Sequence, residues 1–189
     1  TGEYELSVEL ASDGTTEPTE PVESDFEPVF GSLNGDTIEV SDSDQLIFAG
    51  DMNDLVDASV GEGNNRIYAG SGDDTLVLGE SDRVLAGFGD DAIFITNGGD
   101  NTITGGEGAD QFWIASAELP ESANIITDFT AGEDVIGLAG LGIGFEDVSI
   151  TAVEGDALVA ATGSDLAIIK GIEADCLSSD DFAFGYLTL

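Results

Sequence analysis

From Gly31 onward the hydrophobic positions follow neither a helical period nor simple alternation. They recur about every nine residues. In order the units read GSLNGDTIE, VSDSDQLIF, AGDMNDLVD, then (after Ala58-Ser59) VGEGNNRIY, AGSGDDTLV, the eight-residue LGESDRVL, AGFGDDAIF, then (after Ile95) TNGGDNTIT and GGEGADQFW. Counting from the start of each unit, the eighth position is always apolar: Ile38, Ile47, Val56, Ile67, Leu76, Leu85, Ile93, Ile103 and Phe112. Such a unit is a short strand with one inward residue, followed by a Gly/Asp/Asn turn. One unit supplies one turn and one strand, so two units make one coil, and units n and n+2 stack on the same side. The expected fold is all-β, a right-handed parallel β-roll over residues 31–113.

The flanks read differently. Residues 1–10 alternate Tyr4, Leu6, Val8 and Leu10 against polar neighbours, as in the terminal strand of a preceding domain. Residues 11–30 are acidic, rich in threonine and hold Pro18, Pro21 and Pro28, the composition of a linker. Thr1 therefore reads as a cut point inside a longer protein. Residues 114–189 hold short alternating stretches (Val148–Ala152, Ala157–Ala161, Leu166–Ile169 and Phe182–Leu189) between Gly/Asp/Ser turns. A roll has open ends that must be covered, so this segment is expected to form a C-terminal antiparallel β cap.

Charge narrows the function. The chain of 189 residues carries 40 Asp and Glu against 3 Lys and Arg, a formal net charge of −37, and no histidine. Such a surface repels nucleic-acid phosphates and anionic lipid. Without imidazole there is neither a histidine base for a nucleophilic triad nor a histidine-ligated zinc. Cys176 is the single cysteine, which excludes an intrachain disulfide; its expected role is a small buried hydrophobe. The most apolar stretch, Leu138 to Phe145, is far shorter than the roughly 20 residues of a membrane span. The carboxylate pairs Asp73-Asp74 and Asp90-Asp91 fall inside the repeat and have no sugar platform beside them, so no catalytic residue is assigned. The glycine-rich turns place acid where a phosphate cradle needs a cation. Phe88, Phe94, Phe112 and Trp113 suit packing better than a ligand patch.

The repeat carries the chemistry. Glycine reaches positive φ, so a six-residue turn can aim several carbonyls to one side, and an aspartate at position six adds a carboxylate. Calcium takes six to eight hard oxygens, more than one turn supplies but within reach of two stacked turns. The sixth positions run Asp36, Gln45, Asp54, Asn65, Asp74, Arg83, Asp91, Asn101 and Asp110. Every odd unit has aspartate and no even unit does. One row of sites is expected on one side of the roll, with the other side impaired and Arg83 placing a cation where a metal would sit.

These units resemble the G-G-x-G-x-D-x-U-x nonapeptide of the RTX, or haemolysin-type calcium-binding, family, and Ala69–Val77, Ala86–Phe94 and Gly105–Trp113 are near-complete copies. Asn124–Leu138 (NIITDFTAGEDVIGL) is similar to the phrase that follows that family's final repeat, and Thr1–Leu10 weakly resembles the end of a bacterial pre-peptidase C-terminal domain. The resemblance implies ligation by the carbonyls of positions two and four plus the aspartate of one turn, with carbonyls of positions one and three plus the aspartate of the next turn on that side. Carried over, the ligands are Asp36, Asp54, Asp74, Asp91 and Asp110, with carbonyls of Ala49, Gly50, Asp51, Met52, Ala69, Gly70, Ser71 and Gly72. Ala86, Gly87, Phe88, Gly89, Gly105, Gly106, Glu107 and Gly108 complete the carbonyl set, and Asp128 closes a last site. About four to five Ca²⁺ ions in one row are expected.

The resemblance further implies a non-enzymatic, calcium-dependent folding module of a secreted or cell-surface bacterial protein, exported by the type I secretion machinery. An architectural or adhesive surface module (S-layer or matrix) and a folding aid for an upstream hydrolase are the alternatives. Neither nucleic acid nor membrane insertion is expected; self-association or a cell-surface polymer are further partners.

Overall fold

The computed structural model describes residues 28–96 and 98–185; the strand expected at 1–10, most of the linker and the end of the last strand lie outside them. Among the described residues sixteen strands run in chain order. The first six are β1 (Val29–Phe30), β2 (Thr37–Glu39), β3 (Leu46–Asp51), β4 (Leu55–Ala58), β5 (Arg66–Ser71) and β6 (Thr75–Leu78). Then come β7 (Arg83–Phe88), β8 (Ala92–Ile95), β9 (Thr102–Glu107), β10 (Gln111–Ser116), β11 (Asn124–Ile126) and β12 (Val135–Ala139). The last four are β13 (Val148–Val153), β14 (Asp156–Ala161), β15 (Ser164–Ile169) and β16 (Phe182–Gly185).

Up to β12, odd and even strands part into two sheets, whose full orders are β1-β3-β5-β7-β9-β11-β15-β14-β13 and β16-β12-β10-β8-β6-β4-β2. Each strand from β1 to β10 pairs in parallel with the strand two places on, and β15 then follows β11 in one sheet and β16 follows β12 in the other. This is the parallel β-roll that the two-unit coil demands. The roll begins before Gly31, since Val29 and Phe30 already pair with Ile47 and Phe48. It also runs past Trp113, because β11, β12 and β16 add parallel strands. Among the described strands, antiparallel pairing joins β13, β14 and β15, which extend one sheet.

The core is a set of columns. Ile47, Ile67, Val84, Ile103 and Ile126 stack from one sheet, and Ile38, Val56, Leu76, Ile93, Phe112 and Ile136 from the other, each at most 9% exposed. Truncating one of the fully buried members to alanine costs about 2–5 kcal/mol. A second column at position one holds Ala49, Ala69 and Ala86, all fully buried. Gly105 takes that place in the last repeat, where a Cβ would collide first with the Asp110 carboxylate and then with the ring of Phe112.

Two expectations are corrected. In the eight-residue unit the missing residue lies in the turn. Arg83 is therefore in register with Arg66, Val84 is the inward residue at 4% exposure, and Leu85 faces out at 42%. Cys176 is exposed, because the short 3-10 turn Ala174–Cys176 points Leu177 inward instead.

Candidate metal centre

The turns that join odd-numbered strands to even-numbered ones stack along one edge of the roll. At position two, Gly50, Gly70, Gly87 and Gly106 all have φ between +119° and +128°. The reason is close approach as well as handedness. A Cβ on Gly70 would collide with the carbonyl oxygen of Gly50, and one on Gly87 with that of Gly70. Position four repeats the arrangement with Gly72, Gly89 and Gly108, while Met52 adopts φ +72° and leaves its side chain 60% exposed. Position three (Asp51, Ser71, Phe88 and Glu107) faces solvent or is half-buried, and the position-one side chains are buried in the core or absent.

The sixth positions form a column of carboxylates. Oδ1 of Asp54 accepts from the Asp36 amide at 2.7 Å, Asp74 from Asp54 at 2.8 Å, Asp91 from Asp74 at 2.8 Å, and Asp110 from Asp91 at 3.0 Å. Each carboxylate thereby fastens itself to the turn before. Oδ2 of Asp54, Asp74 and Asp91 has no hydrogen-bond partner and is buried. Unpartnered buried carboxylate oxygens are costly, by several kcal/mol for an ion. Burial, with repulsion from neighbouring aspartates, pushes Asp74 and Asp110 up to about 6 and Asp91 up to about 7. Asp54 is raised for the same reasons. Among the described residues no group of three or more acidic or thiol side chains is disposed to hold a metal, so the remaining oxygens of any site must be carbonyls. The residues fit a hard cation. They offer buried anionic oxygens one coil apart, carbonyl-rich turns between them, and no competing ammonium or guanidinium.

The ends of the column differ. Asp36 is half-buried and its Oδ2 accepts from Ser32 in its own turn at 2.6 Å. At the far end the column continues to Asp134, which lies 24 residues after Asp110 and accepts from the Asp110 and Thr130 amides. Asp128 instead accepts from the Gly105 and Gly106 amides at 3.0 and 2.9 Å, beside the turn it was expected to close. The signal for Asp134 is present in the sequence, since Asp134-Val135-Ile136 repeats positions six to eight. A second ladder went unread: Asn53, Asp73 and Asp90 at position five each accept from the amide at position five of the following turn. It fastens the coils from the solvent side, in the opposite direction to the column at position six.

The other edge overturns the reading of Arg83. Its sixth positions are Gln45, Asn65, Asp82, Asn101 and Asn124, linked by amide-to-side-chain bonds at 2.8–3.3 Å. Asn65 Nδ2 donates to Asp82, and Asn101 Nδ2 donates to Asn124 and the Gly79 carbonyl. Side-chain amides link this edge at every position but one. Asp82, not Arg83, occupies the position in the eight-residue unit, fully buried and with Oδ2 unpartnered.

A carboxylate-bearing edge of glycine-rich turns on a parallel β-roll is the arrangement of a calcium-binding repeat. Residues 48–85 and 87–113 match the family model of the RTX calcium-binding nonapeptide repeat, in four copies. The repeat segment is thus an RTX array, and its repeats bind Ca²⁺. Two solved structures are similar over most of the chain, both from the mannuronan C5-epimerase of Azotobacter vinelandii. The AlgE6R2 subunit is 20% identical with a TM-score of 0.41, covering 85% of this chain and 94% of that one. The AlgE6R3 subunit is 19% identical with a TM-score of 0.42, covering 95% and 86%. No curated protein matches the chain.

Proposed function

We propose that the chain is a calcium-triggered folding module of an exported bacterial protein, without catalytic residues of its own. The observation that carries this reading is the set of buried, unpartnered Oδ2 atoms on Asp54, Asp74 and Asp91. In the ionised, metal-free state they oppose closure of the roll. A bound ion supplies the positive charge and Lewis acidity that these oxygens lack. The intervals Asp54/Asp74, Asp74/Asp91 and Asp91/Asp110 hold ions, with the carbonyls of positions one to four completing each shell. Asp36 and the pair Asp128/Asp134 bound the row, for four to five ions in all. The same criterion adds one position on the amide edge, at Asp82.

The functional consequence is a switch. Where calcium is scarce, charge repulsion keeps the chain open, as export by the type I machinery requires. Outside the cell, millimolar calcium draws successive coils together. RTX repeats are typical of secreted proteins, and no helix among the described residues is long and apolar enough to cross a membrane. An extracellular or cell-surface location follows from that reading. Far-UV circular dichroism tests it: coil in chelator, β signal restored cooperatively by calcium. Equal β content in both conditions refutes the switch.

A further inference from the structure

The outer face of the nine-stranded sheet is chemically unlike the rest of the molecule. Over the first three residues of β3, β5, β7 and β9, the inward residues are Ile47, Ile67, Val84 and Ile103. The outward side chains on either side of them are aromatic, aliphatic, threonine or arginine, and none is a carboxylate, in a chain with 40 of them. Both arginines of the protein, Arg66 and Arg83, lie here as direct register partners on adjacent strands. Both are exposed, and among the described residues neither guanidinium makes an ion pair or a hydrogen bond. Two guanidinium groups side by side without an ion pair leave their donors free for an anionic ligand.

The space between them is a shallow groove of about 420 Å³, with Tyr68 and Leu85 on one flank and Thr102 and Thr104 at its end. Asp44 lines an adjoining hollow together with Leu46, Asn64 and both arginines, and its carboxylate is held by the Asn64 side-chain amide. Phe30, Phe48 and Tyr68 stack in series, with centroids 5.4 and 5.0 Å apart, as an aromatic ladder along the roll axis beside the groove. A guanidinium fork matches a carboxylate or sulfate in two parallel hydrogen bonds. Neighbouring strands hold such forks about 4.8 Å apart along the roll axis. Threonine hydroxyls suit sugar hydroxyls, and the Tyr68–Leu85 strip suits the apolar face of a pyranose.

We propose that this groove binds an acidic polysaccharide whose carboxylates or sulfates recur along its chain, laid parallel to the roll axis across β5, β7 and β9. It is separate from both turn edges and does not depend on how many ions they hold.

The test uses the calcium-loaded chain, titrated by calorimetry and amide NMR with short oligogalacturonates, a sulfated oligosaccharide of the same length, and a neutral maltooligosaccharide. The expected result is binding of one or both anionic probes, shifts concentrated in β5, β7 and β9, and none with the neutral probe. The response to the two anionic probes identifies carboxylate or sulfate as the recognised group. R66Q/R83Q is expected to weaken binding at least about tenfold, with the calcium midpoint of folding unchanged. Anion binding that survives R66Q/R83Q, shifts confined to the turns, or no binding at all overturns the proposal. So does calcium-dependent dimerisation in light scattering that R66Q/R83Q abolishes, which assigns the face to a second copy.

Discussion

Asp91→Asn separates the two roles of the carboxylate column, because it should move stability in opposite directions with and without calcium. The amide keeps an oxygen to accept the Asp74 N–H, now 2.8 Å away, and removes the charge. Burial and the repulsion of Asp110 and Asp74 hold the Asp91 carboxyl at about 7 rather than 3.8. In chelator above pH 7 that displacement corresponds to roughly 4 kcal/mol against the folded state. The new Nδ2 takes the place of an unpartnered oxygen, and leaving it unpaired returns about 1–3 kcal/mol of the gain. The net expectation is a calcium-free roll more stable by about 1–3 kcal/mol. With calcium the sign reverses. At roughly 100 times Kd each ion contributes about 2.7 kcal/mol, and Asp91 borders two of the proposed intervals. Urea titrations at fixed calcium, followed by circular dichroism, read both limbs. The variant should be the more stable in chelator and the less stable in about 10 mM calcium. A variant at least as stable as the parent in calcium refutes ligation by Asp91 and leaves the aspartate a turn cap only.

Acid should mimic part of that effect. The raised carboxyls bind protons more tightly when folded than when unfolded. Their destabilisation is full above about pH 7 and fades toward pH 4, so chelator-treated protein should gain stability as pH falls through that window. Across the same window the calcium midpoint should rise as protons compete, checked by circular dichroism at stepped pH. Asp82→Asn should complete the amide edge, by analogy with the Asn65 and Asn101 side-chain donors. It should stabilise the calcium-free roll by about 1–3 kcal/mol and remove no more than one ion in calorimetry; a loss of two or more contradicts the assignment. Gly70→Ala forces a Cβ against the Gly50 carbonyl at φ +120°, and should cost about 2–4 kcal/mol in calcium-loaded protein by thermal melting. Arg83→Asp, on the outer sheet face, should leave the ion count unchanged.

The repeat, the two-sheet roll and the aspartates of one edge were legible in the chain alone, for a local reason. A turn of fixed length followed by one inward residue leaves few ways to close a coil. Stacking like on like every second unit then follows from length. Gly50, Gly70, Gly87 and Gly106 mark the close approach of successive turns, and Asp54, Asp74, Asp91 and Asp110 fall into line with them.

What remained was settled across strands. In LGESDRVL both Val84 and Leu85 are apolar, and nothing local says which faces in. Pairing with Ile67 on one side and Ile103 on the other decides for Val84, and so moves Asp82 rather than Arg83 into the buried column. A shift of one residue reverses every side chain of a strand, so the place of the missing residue decides Asp82, Arg83, Val84 and Leu85 together, while Gln45, Asn65 and Asn101 keep their sixth positions. Asp134 was hidden by a longer spacing, which only the parallel pairing of β12 with β10 brings into register. The carboxylate-free outer face belongs to the same class. Its arginines are 17 positions apart in the chain, and they become neighbours only when strand pairing sets them side by side.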